Sequence, residues 1–163
     1  SFHVNMRGAW HVMKATVELG IGKVVHTGPQ LVRPSYDSDF DVADVPRVPG
    51  THYYRITKYL AMEICRTYAR VYGIQTVCFV FNSLGPEPTE PVRGQDFPPF
   101  RILWKDLQHA CRLALEIESV PDNFQDFNML SYEGHGKYSV DKARRILGFE
   151  PQERWEDYFK RNG

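Results

Sequence analysis

Residues 52–81 read HYYRITKYLAMEICRTYARVYGIQTVCFVF, and their reading decides the fold. Leu60, Ile64, Tyr68 and Val71 recur at helical spacing, which predicts one long helix over 52–72 with those residues as its apolar stripe. Gly73 closes it. Ile74 to Phe81 is almost wholly β-branched or aromatic, the composition of a strand buried on both faces. Upstream, Lys23-Val24-Val25-His26-Thr27 predicts a short buried strand. Strand, helix, strand in this order points to a parallel pair joined by a crossover helix.

The pattern continues outward in both directions. Met6, Ala9, Trp10, Met13 and Val17 predict a packed helix over 4–19, with Asn5 as N-cap and Gly20 as stop. Residues 28–51 and 86–99 are rich in proline and predict loop. Trp104, Leu107, Cys111, Ala114 and Leu115 predict a helix ending near Ser119, and Phe127–Leu130 a short strand. Ser139 caps a helix that Gly148 ends, and Trp155, Tyr158 and Phe159 suggest a last one. The fold class is therefore α/β, a partial Rossmann-type parallel sheet with flanking helices. Residues 1–86 read as the back part of that domain and 87–163 as a mixed α/β C-terminal region.

Composition narrows the function. Lys+Arg and Asp+Glu are both 20 in a chain of 163 residues, which argues against broad phosphate neutralisation and against a polybasic membrane anchor. Neither a nucleic-acid partner nor a membrane is expected. No apolar run approaches the roughly 20 residues that span a bilayer, and no signal peptide is visible. Cys65, Cys78 and Cys111 match no zinc-ligand spacing and predict buried thiols in a reducing, cytoplasmic compartment. None of the six histidines forms an HExxH or i,i+4 pair, so no metal is expected. His26 reads as a satisfied core histidine. Asp37-Ser38-Asp39-Phe40-Asp41 resembles the start of a calcium loop, but Val42 and Val48 stand where glycine and glutamate are needed. It reads as a solvated loop.

Tyr54 and Lys58 are four residues apart on the long helix, with Cβ atoms about 5–6 Å apart on one face. A phenol transfers protons poorly at neutral pH, and a neighbouring ammonium favours its phenolate. Such a pair makes a general acid/base of the tyrosine.

The motifs in order are Asn5-Met6-Arg7-Gly8-Ala9, the Lys23–Thr27 strand, Tyr54-Arg55-Ile56-Thr57-Lys58, Glu63, Asn82-Ser83-Leu84-Gly85-Pro86, Asp106, and Tyr138 through Pro151. Together they resemble the NAD-dependent epimerase/dehydratase branch of the extended short-chain dehydrogenase/reductase family. The resemblance covers essentially the whole chain. It implies NAD or NADP across a Rossmann-type sheet, with a nucleotide sugar or similar hydroxyl/carbonyl compound as the small-molecule substrate. Tyr54 would shuttle the proton, and Lys58 would assist it and hydrogen-bond the nicotinamide ribose. Asn82 matches an asparagine that helps hold substrate. The helices 4–19 and 52–72 match those that pair across a homodimer.

Two features depart from the family pattern. The Gly-rich dinucleotide turn is absent; Gly20-Ile21-Gly22 follows a helix and precedes a strand, the wrong context. The chain reads as the back part of a longer fold, with an upstream segment expected to complete the cofactor site. The family also carries a pair of small hydroxyl residues at the end of this strand, after Val25. Thr27 fits the first, whereas Pro29 stands where the catalytic hydroxyl is expected. Thr27 is then the candidate substitute. These departures keep a second reading open, a catalytically degenerate binding or assembly subunit.

Overall fold

Strand β2 (Gln75–Val80) lies between β1 (Lys23–Gly28) and β6 (Phe124–Asn128) in a three-stranded parallel sheet of order β1-β2-β6. The computed structural model describes residues 1–29, 49–81, 83–87, 89–90, 92–93, 101–133, 138–152 and 159–160. Register is set by pairs such as His26 with Cys78 and Cys78 with Asp126. Five of the six residues of β2 are buried, as its unbroken apolar run requires of a central strand covered on both faces. Lys23 to His26 on β1 are only half-buried, and β1 has one strand neighbour among the described residues.

Helix α1 (Gly8–Glu18) is preceded by a π-helical turn, Phe2–Arg7. Helix α2 (Tyr53–Tyr72) links β1 to β2, and α3 (Trp104–Glu116) and α4 (Asp141–Leu147) follow. Side chains alternate across a strand, so a few contacts assign the faces. Met62 of α2 meets Gly28 and Cys78, and Arg66 of α2 lies over the Phe124 ring. Residues 28, 78 and 124 therefore face α2, on which α1 packs. Lys23 donates to the carbonyl oxygens of Leu115 and Ile117 at the end of α3. Lys142 of α4 lies over the Phe127 ring. The opposite face is thus covered by α3 and α4, which gives the doubly wound layering of an α/β sheet. Short strands β3 (Ser83–Gly85) and β5 (Arg101–Leu103) pair in parallel, as do β4 (Val92–Arg93) and β7 (Phe159–Lys160).

Several local expectations change. Asn5 is not an N-cap; it lies inside the π-helical turn. Helix α2 turns Thr57, Ala61, Met62, Cys65 and Ala69 inward, because small side chains let a helix approach a sheet closely. Its expected stripe is rotated outward. Leu60, Ile64 and Tyr68 are half-buried, and Val71 is 67% exposed. Leu60, Ile64 and Tyr68 share a surface groove of about 270 Å³ with Met6 and Trp10. Trp10 itself is exposed, whereas Met13 is fully buried. In α3 the expected Ala114 is buried together with Asp106 and Ala110, Leu107 and Cys111 are half-buried against the core, and Trp104 and Leu115 are exposed. Strand β6 starts three residues before the expected Phe127, and α3 ends at Glu116. Phe159 is in a strand paired with Val92, not a helix. Trp155 and Tyr158 lie outside the described residues, as does the acidic loop 37–41. Ser139 does act at the start of α4, where its Oγ accepts the Asp141 N–H at 3.0 Å.

Candidate active site

Tyr54 and Lys58 occupy the first two turns of α2. The helix begins where extended His52 offers its ring nitrogen to the Tyr54 N–H at 3.3 Å. The start of a helix after β1 lies at the carboxyl end of a parallel sheet, where α/β folds bind ligands. The Tyr54 ring is 51% exposed and so open to a ligand. Lys58 is half-buried and turned to the end of β1. Its Nζ donates to the Thr27 carbonyl oxygen at 2.6 Å and to Thr27 Oγ1 at 3.3 Å. An ammonium has three N–H donors, so one remains unused among the described residues. The structure therefore brings together Lys58 and Thr27, with Tyr54 one turn from Lys58. Asn82 lies outside the described residues.

The electrostatics follow from burial. Burial holds the Lys58 ammonium below its ordinary value, and the Cys78 and Cys65 thiols act weakly in the opposite sense. His26 is lowered to about 4, first by burial and then by the Lys58 charge. It is neutral at physiological pH. Its Nε2 is buried without a hydrogen-bond partner among the described residues, which corrects the expectation of a satisfied core histidine. Cys65 and Cys78 are buried free thiols, and Cys111 is half-buried and free. Burial pushes Cys65 up to about 11 and Cys78 higher still, so neither presents a thiolate nucleophile. Among the described residues no three His, Cys, Asp or Glu side chains converge as metal ligands.

The strand end lacks a second hydroxyl. Gly28 and Pro29 are both buried. A Cβ added at Gly28 would lie 2.9 Å from Cys78 Sγ and 3.2 Å from Met62 Sδ. The core is therefore closed against a side chain at 28, and proline offers no donor at 29. Thr27 is the hydroxyl that the described strand end presents to Lys58.

The contacts of three polar residues, Asn5, Thr57 and Asp106, escaped the sequence reading. Asn5 Nδ2 donates to Thr57 Oγ1 at 3.0 Å, and Thr57 Oγ1 donates to the Tyr54 carbonyl oxygen at 2.9 Å. Their sequence separation of 52 hides the contact. The signal available was Thr57 itself, a polar residue beside Lys58 on the inward helix face. Asp106 is fully buried, and its Oδ1 accepts the Gln152 N–H at 2.7 Å. It ties α3 to the C-terminal segment.

The sequence profile of the NAD-dependent epimerase/dehydratase family matches residues 1–103. The chain belongs to that family. An NAD-dependent glucose-6-phosphate dehydrogenase of Haloferax volcanii is 22% identical over 91% of this chain and 60% of its own length. A mutated uronate dehydrogenase superposes with a TM-score of 0.78 at 21% identity, over 94% of this chain and 54% of that one. A glucuronic acid dehydrogenase from Chromohalobacter salexigens gives 0.73 at 18% identity, over 94% and 55%. A UDP-galactose 4-epimerase gives 0.68 at 17% identity, over 93% and 65%. These similarities establish the α/β fold of this family member. The chain spans about 60% of the curated relative it matches. Among the described residues no helix is long and apolar enough to cross a membrane.

Proposed function

We propose that this family member carries the catalytic and C-terminal part of an NAD(P)-dependent oxidoreductase acting on a sugar hydroxyl. The observation that carries this reading is the placement of Tyr54 and Lys58 at the carboxyl end of the sheet, with Lys58 anchored on Thr27 and one N–H to spare. That spare donor suits a ribose hydroxyl, so the residues present fit the nicotinamide end of NAD(P). Gly20-Ile21-Gly22 sits before β1, at the other end of the strand from Lys58, and does not fit the pyrophosphate.

Bound NAD(P) supplies the hydride acceptor. The chain's own residues handle the proton. Tyr54 Oη takes the proton of the substrate hydroxyl as the carbon becomes a carbonyl, and returns it in the reverse direction. Lys58, one turn along, places positive charge beside that oxygen. Thr27 Oγ1 orients the substrate oxygen, and Asn82 keeps the substrate-holding role that the resemblance implies. The sugar class follows from what the similar proteins are named for, namely a sugar phosphate, uronic acids and a nucleotide sugar. The test is reduction of NAD+ or NADP+ by the native protein with one sugar of each class. Reduction with any of them supports the reading.

A second reading has its own observation. Closed packing at Gly28 and a buried Pro29 deny the site its second hydroxyl, as expected of a binding or assembly subunit without turnover. Nicotinamide binding without reduction of any sugar would favour it. On either reading we propose a homodimer through α1 with its preceding π-helical turn and α2, which together carry Met6, Trp10, Leu60, Ile64 and Tyr68 around one groove. A monomer in sedimentation at micromolar concentration would contradict that.

A further inference from the structure

We infer that Asn5 and Thr57 form a positioning relay that fixes the Tyr54 backbone, so that the π-helical turn before α1 sets the aim of the tyrosine on α2. The inference rests on the reading of Tyr54 as the proton-transfer group, and neither relay residue touches substrate.

Tyr54 is poorly placed to hold itself still. It is the second residue of α2, in the turn whose N–H groups have no intrahelical acceptor. Its capping bond to His52 is exposed and long at 3.3 Å. Its ring is half exposed and gains little from packing. Its carbonyl oxygen, however, accepts the hydroxyl of Thr57, which is fully buried. A hydroxyl has one proton, so once Thr57 donates to Tyr54 its Oγ1 can only accept. Asn5 Nδ2 fills that role from another helix. The direction of both bonds is thereby fixed, and α1 is coupled to the first turn of α2.

The placement of Asn5 supports a built feature. It lies in the π-helical turn Phe2–Arg7, with its N–H bonded to the Ser1 carbonyl and its own carbonyl accepting the Gly8 N–H. Single π-turns are rare and recur at functional sites. The wide turn sits against the start of α2, with the amide side chain on Thr57.

A merely structural role must be separated from positioning. Thr16 of α1 offers the control, since it is also buried and also bonds a backbone carbonyl, that of Val12 at 2.8 Å. It bears no relation to Tyr54. The variants are Thr57→Val, Thr57→Ser, Asn5→Ala and Thr16→Val in the native protein. Asn5→Ala opens the relay from its outer end and serves if Thr57→Val fails to fold. The first readout needs no cofactor. It is the 13Cζ resonance of Tyr54 in tyrosine-labelled protein, assigned by its loss in Tyr54→Phe. The second is kcat and KM for the sugar that the native protein oxidises.

Thr57→Val and Asn5→Ala are expected to shift or broaden the Tyr54 resonance. They should lower kcat by about 10–100-fold with KM within about twofold, the mark of a misaimed group. Thr57→Ser should restore both readouts, and Thr16→Val should disturb neither. An unchanged Tyr54 resonance in Thr57→Val and Asn5→Ala overturns the relay. So does the same disturbance in Thr16→Val, or a failure of Thr57→Ser to rescue. If the native protein oxidises no sugar, the enzymatic reading fails on its own, and the resonance still decides whether the relay holds Tyr54.

Discussion

Lys58 Nζ lies 2.6 Å from the carbonyl oxygen of Thr27, so the ammonium on α2 is pinned to the backbone of the penultimate residue of β1. A carbonyl cannot be removed by substitution, which makes this anchor tolerant of mutation at 27. The hydroxyl at 3.3 Å is a separate matter. Thr27→Val keeps the anchor and deletes the donor. It should lower kcat for sugar oxidation by about 10²-fold or more while nicotinamide affinity holds. Equal kcat in Thr27→Val and the native protein would leave Thr27 a backbone role only.

Gly28 is tested by crowding. Gly28→Ser places a side chain against Cys78 and Met62, and overpacking of this kind costs about 1–3 kcal/mol. Denaturant midpoints should fall accordingly, with no gain in turnover. A stable Gly28→Ser would show that the core opens more easily than its contacts suggest. Pro29→Ser is the complementary change, and a gain of activity there would mark the strand end as recently stripped of its hydroxyl.

His26 gives a pH signature. Its folded-state value is lowered from 6.5 to about 4 by burial and by Lys58. The unfolded chain therefore binds more protons than the folded one between those values, and stability rises with pH across that window. Read downward, stability is present above 6.5 and is lost as pH falls toward about 4. The ceiling on this contribution is about 3 kcal/mol. His26→Gln should flatten that stretch of the stability profile. A slope unchanged by the substitution would place the proton uptake elsewhere.

Asp106 anchors the C-terminal segment through the Gln152 N–H. Asp106→Ala should destabilise by about 1–3 kcal/mol, because the backbone donor loses its acceptor. Asp106→Asn keeps an oxygen in place and should cost less. Equal melting temperatures for the two would contradict this.

The parallel sheet was legible in the residues because β2 is an uninterrupted apolar run and helices alternate with the strands, whereas the strand order was not read from the sequence. The inward faces of α2 and α3 were not legible either. Both helices press small residues onto the sheet, Ala61 and Ala69 or Ala110 and Ala114, with Met62 beside them on α2, while Leu60, Ile64 and Tyr68, or Leu107 and Cys111, are half-buried at the flank of that face. A periodicity argument follows size and so selects the flank of the inward face, with Ala114 the one expected residue of these two stripes that is fully buried. Tyr54 and Lys58 were legible because they share one helix. The Asn5–Thr57 contact was not, because it joins two helices and depends on a π-helical turn that no local pattern announces. The Lys58–Thr27 bond lay between these cases, since order along the chain implied proximity but not the carbonyl acceptor.

The central claim is that Tyr54 moves the proton in a nicotinamide-dependent oxidation of a sugar. The measurement that tests it most directly is NAD(P)+ reduction by the native protein beside Tyr54→Phe, with circular dichroism confirming that both are folded. The account predicts sugar-dependent reduction by the native protein and a fall of about 10²–10⁴-fold in the variant. Turnover of Tyr54→Phe equal to that of the native protein would contradict it.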